Sequence, residues 1–315
     1  MLGLRRGPWF TYGLAVVAAG LGAAPLAVGG SIKAWGYNGS WRAVSATPRG
    51  NDFVAVSGGG VHALALRADG SLAGWGWDYY GQSDVPEGND YIAIAAGGFH
   101  SLALKGDGSI VGWGNDLYGQ ATPPPGSNYA AIAAGTVCSL ALRTDGSLAA
   151  WGLITTAPAG NDFVAIDCSL GGSDSVADIA LRSDGSLICW GDFPAAPAGN
   201  DFVDFGLGWD HGVALRANGS IVCWGDNSYG ESTPPTGHNF IAVDAGEHYS
   251  VALRADGSIV VWGQGDDPNY GLTHPPTGTG FVDVSAAALS CYALTPEPSA
   301  LLALGLAVLL LGRRR

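Results

Sequence analysis

Apolar and polar residues alternate along this chain in short runs broken by Gly, Asp and Asn, the period-two pattern of strands with one buried face. One stretch shows the unit: Tyr91–Ala95, Ser101–Lys105 and Ser109–Gly114 read as three consecutive strands. The turn Asp107-Gly108-Ser109 leads into the third of them. Asp-Gly and Asn-Gly between apolar runs accept the positive φ that a tight hairpin turn demands. The same turn stands at Asp69-Gly70-Ser71, Asp145-Gly146-Ser147, Asp184-Gly185-Ser186, Asn218-Gly219-Ser220 and Asp256-Gly257-Ser258. A Trp-Gly pair follows each turn, at Trp75, Trp113, Trp151, Trp190, Trp224 and Trp262, and one more stands at Trp35. Successive spacings are 40, 38, 38, 39, 34 and 38 residues, the mark of a repeat architecture.

The two ends complete one another. The chain enters with Ser31–Gly36, a third strand with no predecessors, and leaves with Phe281–Val284 and Cys291–Leu294, two strands with no third. Together they make a seventh unit. A closed ring needs such a split unit, because pairing the first and last segments removes exposed sheet edges. The expected fold is therefore all-β: a seven-bladed β-propeller with about three strands per blade over 31–294, its last blade closed by the N-terminal strand.

Gly97, His100–Leu104, Asp107-Gly108-Ser109, Trp113-Gly114-Asn115 and Tyr118-Gly119-Gln120 together resemble the regulator of chromosome condensation repeat. That resemblance implies a seven-bladed propeller. The units here are shorter than that family's usual repeat, which implies three-stranded blades like those of the secreted β-lactamase inhibitor protein II type. It implies little about function, since one fold hosts many sites. Nucleotide exchange on a small GTPase and inhibition of a secreted enzyme both enter only by this analogy.

Both termini read as processing signals rather than fold. Arg5 and Arg6 precede an apolar run from Tyr12 to Ala24, and small residues follow through Gly30, the layout of a signal peptide over 1–30. Pro296-Glu297-Pro298 precedes an apolar stretch from Ala300 to Leu311 and the basic end Arg313-Arg314-Arg315. This order resembles the bacterial PEP-CTERM sorting signal over 295–315. The resemblance implies an exosortase-type sorting protease as partner, transient membrane anchoring through a short C-terminal helix, and a place at the envelope, surface or extracellular matrix of a Gram-negative bacterium.

Composition narrows the partners. The formal net charge is −13, and five of the 14 basic residues lie in the two end segments. Nucleic acid is bound mainly through Lys and Arg contacts to phosphate, so an acidic body of this kind argues against DNA or RNA. Charged residues make up only 13 % of the chain, whereas Gly numbers 51 and Trp 11, as short strands and tight turns require.

Recurrence separates structural residues from candidates for function. The Trp of each Trp-Gly pair recurs in every unit and reads as filling between neighbouring blades. His62, His100 and His211 share one position, too far apart around a ring to hold one ion, and read as bonded to loop backbone. Tyr80, Tyr118, Tyr229 and Tyr270 read as connector packing. The connectors after Trp151 and Trp190 are about four residues shorter than the others, and the loop Cys168–Asp178 between them is five residues longer. Strand order places the irregular residues on one face, here called upper, opposite the Asp-Gly-Ser turns. Its non-recurring groups are the candidate binding residues: Trp77 with Tyr79, Trp209 with Asp210, Glu247 with His248, and Asp266 with Asp267. Aromatics beside acids suit a polysaccharide or a protein partner at the envelope.

Of five cysteines, no two stand as C-x-x-C, so the spacing supports neither a zinc site nor a thioredoxin-like motif. Cys138 and Cys168, near the upper ends of neighbouring blades, form the pair to test for a disulfide. No nucleophile elbow, P-loop, His-Glu-x-x-His or calcium loop occurs, and no cofactor is implied. An exported binding module is the reading these features favour. A hydrolase or lyase acting on extracellular polysaccharide, and an inhibitor of a secreted enzyme, are the alternatives.

Overall fold

A computed structural model describes residues 29–38, 44–172, 176–263 and 271–296. Strand β1 (Gly30–Gly36) comes first and belongs to the last blade. Blade 1 follows with β2 (Phe53–Gly58), β3 (His62–Arg67) and β4 (Leu72–Gly76), and blade 2 with β5 (Tyr91–Ala96), β6 (His100–Lys105) and β7 (Ile110–Gly114). Blade 3 holds β8 (Tyr129–Ala134), β9 (Cys138–Arg143) and β10 (Leu148–Gly152); blade 4 holds β11 (Phe163–Cys168), β12 (Ala177–Arg182) and β13 (Leu187–Gly191). Blade 5 comprises β14 (Phe202–Leu207), β15 (His211–Arg216) and β16 (Ile221–Gly225), and blade 6 β17 (Phe240–Ala245), β18 (Tyr249–Arg254) and β19 (Ile259–Gly263). Blade 7 joins β20 (Asp283–Ala286) and β21 (Ser290–Pro296) to β1. The fold is a seven-bladed propeller with three antiparallel strands per blade.

Closure is effected by β1 against β21, paired in register from Gly30↔Pro296 to Gly36↔Ser290. The first strand of each blade contacts the first strand of the next, from β2 through β20 and back to β2, so these seven strands line the axis. The upper loops add a second ring. Gly60 N–H donates to Gly97 O, Gly98 to Gly135 O, Glu247 to Ala288 O, and Ala288 to Gly59 O, each bond crossing one blade boundary.

Cores lie between blades rather than within them. Tyr249, Val251 and Leu253 of blade 6 pack with Val284, Cys291 and Trp35 of blade 7, for example. The repeated Trp ties neighbours together by its indole N–H. Trp113 Nε1 donates to Gln82 O at 3.0 Å, Trp151 Nε1 to Gln120 O at 2.8 Å, and Trp262 Nε1 to Glu231 O at 2.8 Å. The acceptors stand in the middle of the preceding connectors. Where the connectors are short, Trp190 and Trp224 have a buried Nε1 with no such acceptor.

The lower face is built from repeated parts. Gly70, Gly108, Gly146, Gly185, Gly219 and Gly257 all take φ between +79° and +85°, which only Gly adopts without strain. Arg67, Lys105, Arg143, Arg182, Arg216 and Arg254 lie over the rings of Phe53, Tyr91, Tyr129, Phe163, Phe202 and Phe240. Four of these cations also pair with Asp52, Asp90, Asp162 and Asp201. Most of the positive charge is thus committed to holding strand ends.

Candidate functional site

The upper face is made by the loops between first and second strands and by the connectors that leave each third strand. Recurrent connector tyrosines sit here half-exposed, each N–H held by the side chain two residues on: Tyr80 by Gln82, Tyr118 by Gln120 and Tyr229 by Glu231. Gln82, Gln120 and Glu231 are themselves buried, so each connector has a rigid foot.

The first patch forms at the boundary of blades 1 and 2. Trp77 and Tyr79 stack with centroids 5.5 Å apart and planes at 11°. Tyr80 meets both edge-on, and Phe99, from the upper loop of blade 2, closes the group against Trp77 and Tyr80. Tyr79 is 75 % exposed. Stacking and edge-to-face contacts hold these four rings in one geometry before any ligand arrives. The pair Trp77 and Tyr79 is legible in the sequence. Phe99 is not, because its neighbours come from another blade.

The second patch forms between blades 5 and 6. His248 meets Trp209 edge-on at 5.5 Å and Tyr229 at 4.8 Å. Its Nε2 lies 3.6 Å from Glu247 Oε1. Burial pushes the Glu247 carboxyl up to about 7, so it titrates near neutrality. Tyr229 and Tyr80 hold equivalent places, as do His248 and Phe99, so this patch is the first one rebuilt with an acid and an imidazole. Trp209 Nε1 is buried and without a hydrogen-bond partner.

The two patches are separate. Four blade steps set them roughly 200° apart around a seven-fold ring, so the sequence-level candidates divide into two surfaces. Asp210 is exposed beside Trp209 and offers its backbone O to Asp226 N–H. Asp266, Asp267 and Tyr270 lie outside the described residues, as do Glu297 and Pro298 of the sorting motif; Pro296 ends β21.

Other polar groups answer to the ring itself. His62 and His100 do not bond to loop backbone, whereas His211 also meets the backbone of Tyr249. Each Nε2 meets the hydroxyl of a serine one blade on, Ser101 at 2.7 Å, Ser139 at 2.8 Å and Ser250 at 2.8 Å. Burial lowers their pKa values to about 3, 4 and 4, so they stay neutral. Along the axis stand four carboxyls that the repeat analysis did not single out: Asp167, Asp204, Asp244 and Asp283. Asp167 accepts from Leu207 N–H at 3.0 Å, Asp204 from Val243 N–H at 2.9 Å, and Asp244 from Ala286 N–H at 2.8 Å. Each thereby fastens one blade to the next. Burial, then mutual repulsion, raises them: Asp204 to about 7, and Asp167 and Asp283 well above the usual carboxylate range. Acids at two positions held by Ala, Gly or Ser in other blades were the available signal. A groove of about 320 Å³, lined by Ile32, Lys33, Thr47 and Arg49 among others, lies beside β1.

A rigid ring with variable aromatic loops on one face defines the class: a β-propeller scaffold. Residues 53–82, 91–120 and 202–231 match the regulator of chromosome condensation (RCC1) repeat. The chain folds as an RCC1-like β-propeller. The structure is similar to Prp20p from Saccharomyces cerevisiae, with a TM-score of 0.70 at 16% identity over 91% of this chain and 94% of that one. It is also similar to the ectodomain of the Physcomitrella patens receptor kinase CR4, with a TM-score of 0.63 at 22% identity over 78% of this chain and 71% of that one. The CRINKLY WD40 ectodomain of the Arabidopsis thaliana receptor kinase ACR4 gives 0.59 at 23% identity over 75% and 91%. No curated protein matches the chain in sequence. RCC1-like propellers are typically protein-binding modules and are usually non-catalytic.

Proposed function

We propose that this chain is an exported binding module, held at the cell envelope or released outside, that engages a protein or polysaccharide through the aromatic patch of its upper face. The observation that carries the reading is Tyr79, 75 % exposed and stacked on Trp77. A large aromatic exposed on a pre-ordered platform loses little entropy on binding, and it buries apolar area while its hydroxyl bonds to the ligand. The engaged cations of the lower face leave little to attract phosphate, which supports a partner other than nucleic acid. Export rests on the Arg5-Arg6 signal and on the Pro296-Glu297-Pro298 order, which make an exosortase-type protease a transient partner. Prp20p, whose structure was described with its binding to Gsp1p and histones, is a precedent for protein binding by such a scaffold.

The test is retention of ligands from a glycan array and from envelope extract by the purified protein, its Trp77→Ala variant and its Trp209→Ala variant. The proposal expects Trp77→Ala to lose at least ~10-fold in affinity, as a central aromatic does. Unchanged binding in Trp77→Ala would place the site elsewhere. Loss in Trp209→Ala alone would move it to the second patch.

One observation favours a second reading. Glu247, raised to about 7 beside Trp209 and His248, has the protonation of a general acid, as a hydrolase or lyase acting on extracellular polysaccharide would need. Shortened glycan products that vanish in Glu247→Gln would replace the binding reading with this one. Inhibition of a secreted enzyme is a special case of protein binding, decided by the identity of what is retained.

A further inference from the structure

The boundary between blades 3 and 4 breaks the repeat at several points together. At three other boundaries a histidine opening the second strand of one blade bonds to a serine in the second strand of the next. Here Cys138 stands in the histidine's place and Asp178 in the serine's, with the thiol donating to Oδ1 at 3.6 Å. A second thiol arrives with Cys168, at the end of β11, where other blades carry Gly58, Ala96, Ala134, Leu207, Ala245 and Ala286. One ligand atom from each of Cys138, Cys168 and Asp178 lies within 4.8 Å of both others, and all three side chains are buried. Asp178 is 0 % exposed, yet its Oδ2 makes no hydrogen bond of ordinary geometry. Trp190 Nε1, across the β12–β13 pair from Asp178, is buried and faces that carboxylate without reaching ordinary hydrogen-bond geometry. Gly135 leaves the room: a Cβ there would come within 2.9 Å of Cys138 Sγ and 3.2 Å of Cys168 Cβ.

We propose that Cys138, Cys168 and Asp178 form a zinc site that clamps blade 3 to blade 4. Two sulfurs and a carboxylate are the donors that select a borderline-soft divalent ion over calcium or magnesium. Bonds of ~2.3 Å to sulfur and ~2.0 Å to oxygen at tetrahedral angles set S and O about 3.5 Å apart, close to the 3.6 Å observed. The ion displaces the two thiol protons to solvent and satisfies the carboxylate. Trp190 Nε1 then serves the carboxylate's outer oxygen, as second-sphere donors do. A Cys138–Cys168 disulfide explains less. It removes both S–H donors and leaves a buried carboxylate facing sulfur with no compensating charge. The ligands are 30 and 10 residues apart in the chain, which is why their spacing carries no motif.

The test uses the whole protein, prepared with reductant, stripped with chelator and then titrated with Zn(II) against a chromophoric competitor, with Co(II) as spectroscopic substitute. Cys168→Ala and Asp178→Ser each restore the residue that other blades use, so both variants retain the fold. The expected result is one zinc per chain, a Co(II) spectrum with thiolate charge-transfer and tetrahedral d–d bands, and affinity at least ~100-fold weaker in either variant. Three outcomes would overturn the proposal: no thiolate band in the reduced folded protein, affinity unchanged in both variants, or a Cys138–Cys168 disulfide found by mass spectrometry in protein isolated without reductant.

Discussion

Replacing Asp204 by Asn stabilises the propeller at alkaline pH and does little in acid. In the fold the Asp204 carboxyl is raised from 3.8 to about 7, chiefly by burial and then by the neighbouring Asp244. A raised carboxyl contributes stability that is fully present below 3.8 and is lost as pH rises through about 7. The shift spans about three pH units at ~1.4 kcal/mol each, so the raised carboxyl costs ~4 kcal/mol at pH 8, where it is ionised in the fold, and ~2 kcal/mol at pH 5, where folding must protonate it. Asp204 is half-buried, and solvent screening lowers both figures without changing their order. Asn keeps an oxygen for Val243 N–H, the bond that fastens blade 5 to blade 6 at 2.9 Å. Urea unfolding of both proteins at several pH values measures the difference. The difference is the quantity to read, because His62, His100 and His211 tilt the profile of the parent in the opposite sense. An advantage of Asp204→Asn that is equal at pH 5 and pH 8, or a loss at pH 8, would refute the reasoning.

Two further expectations concern the ring. His100 is lowered to about 4, so its contribution is present above 6.5 and is lost as pH falls toward 4, by ~3 kcal/mol at that pH; His100→Gln should flatten the acid limb of a stability profile, and an unaltered slope would contradict the buried neutral imidazole. Trp151 Nε1 donates to Gln120 O whereas Trp224 Nε1 is buried without a partner. Trp151→Phe should therefore cost ~1–2 kcal/mol more than Trp224→Phe in denaturant titrations, and equal costs would deny that the connectors act through the indole.

Much of the ring was legible because its determinants are local and repeated. Asp107-Gly108-Ser109 dictates a positive φ at Gly108, and the split unit made of Ser31–Gly36 with Cys291–Leu294 dictates closure, which β1 and β21 carry out. Strand ends moved by one residue, as where β6 opens at His100 rather than Ser101, because His100 pairs with Gly114 across the hairpin. What escaped was contact between blades. His100 finds Ser139, and Trp77 finds Phe99, only after the ring has brought neighbouring units together. The first of these could have been read from the repeat itself, since a histidine in one unit and a serine in the next recur with the same offset.

That offset also gives the exceptions their meaning. A repeat specifies which side chains face across every boundary, so a substitution at one boundary can be judged against the others as internal controls. At blades 2 and 3 the rule yields a neutral imidazole bonded to a hydroxyl, closed and satisfied apart from His100 Nδ1. Applied to blades 3 and 4, it yields a thiol facing a carboxylate, joined by a second thiol and left with an unpartnered oxygen. Polar groups buried without partners cost free energy that a hydroxyl at position 178 would have avoided. The short connectors compound this, since they deprive Trp190 of the acceptor that its equivalents use. Two thiols and a carboxylate that meet at one of seven boundaries call for a ligand there, whereas the aromatic patches, packed ring on ring and open to solvent, call for a partner on the surface.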